Sequence, residues 1–401
     1  MTAVLTDRTD ARFRIAPLAA LGFGSFAYVT AETLPVGLLP DIASGLDVSE
    51  AQVGLLLTTY AAVAGLTAIP FTALTLGMSR RRLIALCLAV FTVSQLLAAI
   101  APTFEILAAS RLVAALAHGV FWSAIGPAAA RLAPAGQAGR AMSIVFVGNS
   151  LALVAGVPLG TALGQLAGWR TSFAVLGLAG AIATIALLRL LPPLTSFTTE
   201  RVRPVARMRS SLAVIGERRV AAVCAVTLTV VIGHFAAYTY IAPLSERAGG
   251  LSGLGLSALL LGFGAAGFAG NLAAGHLTDS RPALVLVAGM TVSAAALVTL
   301  ATTPGTAVTV VAVLAWGLGF AVVPVSLQSA ILRVAPHAQD AASAVYVVAF
   351  QIGIGGGALA GERLVGAGQL GTLPVVAAIT ALAAGAITMA ATRAFPRRDL
   401  P

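Results

Sequence analysis

Glu32, Arg111 and His234 are ionisable residues set inside long apolar runs of a 401-residue chain. Glu32, in Ala31-Glu32-Thr33-Leu34-Pro35, is the one carboxylate deep in the apolar runs of the first half. Desolvation disfavours the charged form of a carboxylate, so a group placed there can load and release a proton near neutral pH. Arg111 lies a third of the way into another run. An arginine inside a membrane helix costs on the order of 2.5–3.5 kcal/mol, so it calls for a partner or a water-filled site. An approach to Glu32 would tie protonation to substrate occupancy. His234, in Ile232-Gly233-His234-Phe235, titrates in the physiological range and can relay protons or donate to a substrate hydroxyl. Each has a plainer alternative: a hydrated glutamate near a span end, an arginine snorkelling to the outer surface, a satisfied core histidine.

Asn149, Asn271, Gln328 and Gln351 are amides in apolar surroundings, each needing hydrogen-bond partners. Interhelical bonding is the ordinary role for any one of them. Together with His118, Trp122 and Tyr238 they suit a polyhydroxylated ligand, amides pairing with hydroxyls and an aromatic face stacking on a ring. Tyr238 and Tyr240 point to different faces of one helix, so at most one faces a cavity. Phe121 and Trp122 face either lipid or the interior.

Much chemistry is excluded. The chain has no lysine, hence no Walker A lysine and no Schiff-base lysine. Gly262-Phe263-Gly264-Ala265-Ala266-Gly267 fits a dinucleotide pattern but lies within an apolar run with no strand before it, and helix packing explains it better. Cys87 and Cys224 are far apart and apolar in context. No zinc-protease motif, paired catalytic carboxylates or nucleophile elbow is present. The chain is therefore expected not to be an enzyme, and to use no cofactor or metal.

The elements that must position these residues are membrane helices. The chain is 59% hydrophobic and 9% charged, with mean hydropathy +0.98. Apolar runs predict about twelve spans of ~20 residues, at 15–39, 52–76, 83–101, 104–129, 141–166, 171–191, 220–245, 254–275, 282–302, 306–331, 341–365 and 370–392. The fold class expected is an all-α polytopic protein of two six-helix bundles with both termini cytoplasmic. Its parts are a tail over 1–14, bundles over 15–191 and 220–393, an Arg-rich linker over 192–219 and a tail over 394–401. In a soluble protein the net charge of +10 would point to nucleic acid. Here it follows topology: Arg170, Arg247 and Arg363 alone fall on the outer side, which is the positive-inside pattern. The first span reads as an uncleaved anchor. The expected partners are a bilayer, a small molecule and protons, with no nucleic acid, and one chain is expected to be the working unit.

The halves repeat at a constant offset of 202. Arg131-Leu-Ala-Pro134-Ala-Gly-Gln137 matches Arg333-Val-Ala-Pro336-His-Ala-Gln339, Glu32 matches His234 and Asn149 matches Gln351. Parallel six-span repeats are a transporter architecture with the substrate site near the midplane. In the fifth span Gly148, Ala152, Gly156, Gly160, Gly164 and Gly168 form an i, i+4 ridge for close helix packing. Pro158 should bend that helix; Ala360 stands opposite it in the repeat. Gly353, Gly355, Gly356, Gly357 and Gly361 read as a flexible, tightly packed span eleven.

These motifs resemble a known family. Gly275-His276-Leu277-Thr278-Asp279-Ser280-Arg281 resembles the Gly-x-x-x-Asp-Arg loop of the major facilitator superfamily, with Asp279 and Arg281 as gating candidates. The first-half counterpart has Gly77 where the acid would be, so no latch on that acid is expected there. Gly156-Val157-Pro158-Leu159-Gly160 resembles the antiporter motif of the drug:proton antiporter branch, with Val157 intervening where many members join Gly to Pro. Arg111 followed by Gly119 resembles its second motif. Ala31-Glu32-Thr-Leu-Pro-Val-Gly-Leu-Leu, Ala117-His118-Gly-Val-Phe-Trp122-Ser123, Ala133-Pro134-Ala-Gly and His234-Phe-Ala-Ala-Tyr238-Thr-Tyr240-Ile resemble bacterial sugar efflux transporters. The chain departs from that pattern at Ala242, where some members carry an acid. The resemblance implies proton-coupled export of arabinose-type sugars or galactoside analogues across the inner membrane, with Glu32, Arg111 and His234 coupling protons. The rival expectation on the same fold is a multidrug or chloramphenicol-type drug:proton antiporter. A non-transporting receptor would have lost Glu32 or Arg111, and an intramembrane enzyme would need a catalytic constellation that is absent.

Overall fold

The computed structural model describes residues 14–134, 136–194, 213–303 and 305–396. The tail arginines Arg8, Arg12, Arg397 and Arg398 and the linker arginines Arg201, Arg203, Arg207 and Arg209 lie outside the described residues.

Among the described residues, 12 helices are long and apolar enough to cross a membrane. In the first repeat they are α1 (Ile15–Gly37), α3 (Glu50–Thr75), α4 (Arg80–Ala99), α5 (Phe104–Ala130), the composite α6–α7 (Ala138–Leu151 and Val157–Ala167) and α8 (Trp169–Leu190). In the second they are α9 (Arg218–Tyr238), α11 (Gly253–Leu277), α12 (Pro282–Ala301), α13 (Thr306–Val334), α14 (Gln339–Gly366) and α15 (Leu373–Ala390). Large aliphatic side chains such as Leu66, Leu166, Val311 and Ile379 are exposed, an arrangement that only an apolar solvent makes favourable.

Local sequence sets the boundaries. Ser49 and Gln52 form a capping box at the start of α3. Gly168, at φ +86°, is the single residue between α7 and α8, a left-handed conformation that only glycine adopts freely.

Two spans end earlier than the apolar runs predict. α1 stops at Leu38 and a short helix, α2 (Leu39–Leu46), follows. α9 stops at Tyr238 and α10 (Ile241–Gly249) follows, dividing the predicted span 220–245. The break residues Leu38 (φ −114°, ψ 16°) and Tyr240 (φ −112°, ψ 25°) share one conformation and lie 202 positions apart, so the break belongs to the repeat.

The bend expected at Pro158 takes the form of a π-helical turn, Ala152–Gly156, immediately before it. Proline has no N–H for the carbonyl four residues back, and the wider turn absorbs the mismatch.

The chain divides into two compact units. Unit one gathers the described residues up to Gln137, those of Ile144–Val214, and Ala338–Val348; unit two gathers Ala138–Ser143, Ile215–His337 and the described residues from Ala349 on. In unit one the glycine ridge packs on α1 in constant register. A Cβ at Gly148 would strike the Gly22 carbonyl, one at Gly156 the Thr30 hydroxyl, one at Gly160 Leu34 and one at Gly164 Leu38. Each pair is separated by 126 positions, so the two helices run parallel with backbones in near contact. In unit two Gly353, Gly357 and Gly361 pack against α9 in the same manner, whereas Gly355 faces open space.

Candidate functional site

Unit one places a polar cluster where α1, α3 and α5 meet. Pro35 lies inside α1 and cannot donate to the carbonyl of Ala31, four residues earlier. Arg111 of α5 supplies that bond: Nη1 donates to Ala31 O at 2.7 Å and Nη2 to Glu32 O at 3.2 Å. The buried guanidinium also lies over the Tyr60 ring, 4.6 Å from its centroid, a cation–π contact strengthened by desolvation. Arg111 thus does not snorkel, and it meets the main chain of Glu32 rather than the carboxylate. Among the described residues the half-buried Glu32 carboxylate forms no ion pair with Arg111, whose polar contacts go to main-chain oxygens.

His118, two turns further along the same face of α5, is buried, and its Nδ1 shares a 3.0 Å hydrogen bond with the Tyr60 hydroxyl. Tyr28 packs edge-on against His118 and donates its hydroxyl to the Cys87 carbonyl. Trp122 is half-buried between the rings of His118, Phe121 and Phe146, so it is not a lipid anchor. Asn149 is half-buried on α6.

Unit two builds an aromatic cluster around His234. Its ring stacks on Phe320 and Tyr238 and meets Trp316 and Phe235 edge-on; Phe263 closes on Tyr238 and Trp316. The Trp316 indole N–H donates to His234 Nδ1 at 3.2 Å. Indole is a donor only, so Nδ1 must be the acceptor and the ring must be neutral with its proton on Nε2. A proton added at Nδ1 would break this bond, which makes His234 better suited to donating through Nε2 than to carrying protons. A cavity of about 10 Å³ opens beside His234, Trp316 and Ser293, room for a single water.

The amides separate. Asn271 donates Nδ2 to Ser143 O while Ser143 donates its hydroxyl to Asn271 O, both at 3.0 Å. This pairing uses the Asn271 Nδ2 between helices and leaves its Oδ1 unbonded. Gln328 is buried in α13, and Gln351 is buried with its Nε2 unbonded.

Two further junctions involve the starts of α6 and α14. Asp279 accepts from the main-chain N–H groups of Gly139 (2.6 Å) and Arg140 (3.0 Å), capping the N-terminus of α6 from a distant loop. Arg281 is exposed at the N-cap of α12. Where the first repeat has Gly77 in place of the acid, Arg80 forms a buried ion pair with Asp340 in the first turn of α14. Arg80, Asp340, Tyr60, Trp316 and Phe320 were not singled out from the sequence, although Phe320 stands 202 positions from His118.

A profile of the Major Facilitator Superfamily matches residues 21–358. The chain belongs to this superfamily. It is a multi-pass membrane transporter rather than an enzyme. Among solved structures it is similar to the E. coli fucose:proton symporter FucP, at 17% identity and TM-score 0.77, covering 95% of this chain and 99% of FucP. The human organic anion transporter TETRAN matches at 16% identity and TM-score 0.73, with 94% and 99% covered. The proton:xylose symporter XylE matches at 17% identity and TM-score 0.69, with 96% of each chain covered. At these identities the likeness establishes the major facilitator fold.

Proposed function

We propose that this superfamily member is a proton-coupled exporter of sugars or sugar analogues, working by alternating access in a bacterial inner membrane with both termini cytoplasmic. The observation that carries the proposal is the state of Glu32: a carboxylate in a membrane span whose neighbouring arginine is committed to the main chain. Such a group can change charge without unseating the arginine that braces the helix. Two of the structural relatives are named as proton symporters of sugars, which supports proton coupling and a sugar ligand. Outward direction rests on the antiporter-like motif around Pro158. Asn149, Gln351, Trp122 and the Nε2 proton of His234 are the proposed hydroxyl and ring contacts. The bonds of Asp279 and of Arg80–Asp340 are those the starts of α6 and α14 must give up if these helices move.

The test is proton-driven uptake of a labelled arabinose or galactoside into everted vesicles. Glu32→Gln should abolish gradient-driven transport while leaving expression and substrate exchange intact; unchanged driven transport removes Glu32 from the mechanism. The aromatic surroundings of His234, with Phe235, Phe263, Phe320 and Trp316, favour a second reading, an amphipathic drug in place of a sugar. Drug protection of an efflux-deficient host with no change in sugar accumulation would select it.

A further inference from the structure

At the end of unit two where α9 begins, a cavity of about 560 Å³ opens between the start of α9 and the ends of α13 and α15. The cavity is open to the surface on one side. Arg218, Arg219 and Arg393 line it with a single acid, Glu217, while Ala222, Val334, Ala390 and Ala391 supply an apolar wall. None of these arginines forms an ion pair among the described residues. The first turn of α9 carries no acidic residue, and its N-cap, Glu217, makes no side-chain cap bond, so one carboxylate alone stands against the arginines and the partial positive charge of that helix end.

We propose that this cavity binds the phosphate of an anionic phospholipid. Three cations around one acid select an anion, and arginine's planar donor fork suits phosphate oxygens. Arg218 opens a membrane-spanning helix, so the cavity sits at the boundary where headgroups lie, on the face proposed above as cytoplasmic. An apolar wall beneath a cationic rim matches a phosphate that is attached to glycerol and acyl chains, and basic pockets between helix ends are a recurrent form of lipid recognition. This site is separate from the transport clusters of His234 and Glu32.

The experiment uses the purified full-length protein in detergent, titrated with phosphatidylglycerol or phosphatidylcholine and followed by native mass spectrometry. Phosphatidylglycerol should bind in preference. Arg218→Gln with Arg393→Gln should weaken it about twenty-fivefold, from roughly fivefold per arginine at an anionic headgroup. Arg82→Gln with Arg189→Gln removes the same charge from exposed positions elsewhere and should leave binding unchanged. All four side chains are exposed, so both variants should fold. Equal loss in the two variants, or none in either, overturns the site. Complete displacement of the lipid by millimolar inorganic phosphate overturns the lipid assignment in favour of a soluble phosphate; retention of lipid under that competition supports it.

Discussion

Arg111 donates to the carbonyl of Ala31, the one acceptor in α1 that Pro35 leaves without a helical donor. The second repeat has neither partner: Ala237 stands at the position of Pro35 and Val313 at that of Arg111. A helix with an unbroken ladder has no vacant carbonyl at that place, and no buried guanidinium is needed to fill one. The arginine is therefore a brace for a broken helix as well as a charge near Glu32.

A double-mutant cycle measures that brace. Arg111→Gln should cost roughly 1–3 kcal/mol of stability through stranded carbonyls, read by thermal denaturation in detergent. In a Pro35→Ala background, where Ala31 regains its helical N–H, the same substitution should cost about 1 kcal/mol less. Equal costs in both backgrounds would show that Arg111 serves some other partner.

Trp316→Phe keeps the ring stack around His234 and removes only the indole N–H. The imidazole then loses the bond that holds its proton on Nε2. The apparent KM for substrate should rise about five- to tenfold, in keeping with ~1–1.4 kcal/mol for one hydrogen bond. Proton-driven accumulation at saturating substrate should persist. Loss of driven accumulation with KM unchanged would instead make His234 part of the proton path.

The Arg80–Asp340 pair is buried and incompletely satisfied: Arg80 Nε and Nη1 and one Asp340 oxygen have no further partner. Asp340→Asn would leave an uncompensated buried guanidinium and should cost roughly 3–5 kcal/mol. The double variant Arg80→Met with Asp340→Leu should recover most of that loss, because the charge that needed pairing is gone with its partner. Folded yield and melting temperature by intrinsic fluorescence separate the outcomes; a double variant as unstable as Asp340→Asn would mean that shape rather than charge holds the junction.

The spans were legible because a bilayer imposes length and apolarity on every one, and predicted and observed ends agree within a few residues for most. The break at Tyr240 was not, since Ile241 and Ala242 continue the apolar run and only the conformation shared with Leu38 reveals it. Glu32, Arg111 and His234 stood out as ionisable groups in apolar context. Tyr60 and Trp316 did not, because an aromatic residue in a membrane span is ordinary until a polar neighbour uses its O–H or N–H. Arg80–Asp340 joins residues 260 positions apart. No local spacing links the two.

The glycine ridge yields the last prediction. A Cβ at Gly148 would fall on the Gly22 main-chain carbonyl, which has no rotamer by which to move aside. Gly148→Val should therefore force α6 away from α1 and destabilise the protein by roughly 1–3 kcal/mol. Gly355 offers the contrast, since a Cβ there meets nothing within 4 Å. Gly355→Ala should be neutral or stabilise by up to about 1 kcal/mol, as alanine restricts the helix backbone more than glycine does. Both are read as melting temperatures of the purified variants in one detergent. If Gly355→Ala loses as much as Gly148→Val, helix flexibility rather than close packing is what these glycines provide, and the parallel register of the ridge on α1 would lose its energetic meaning.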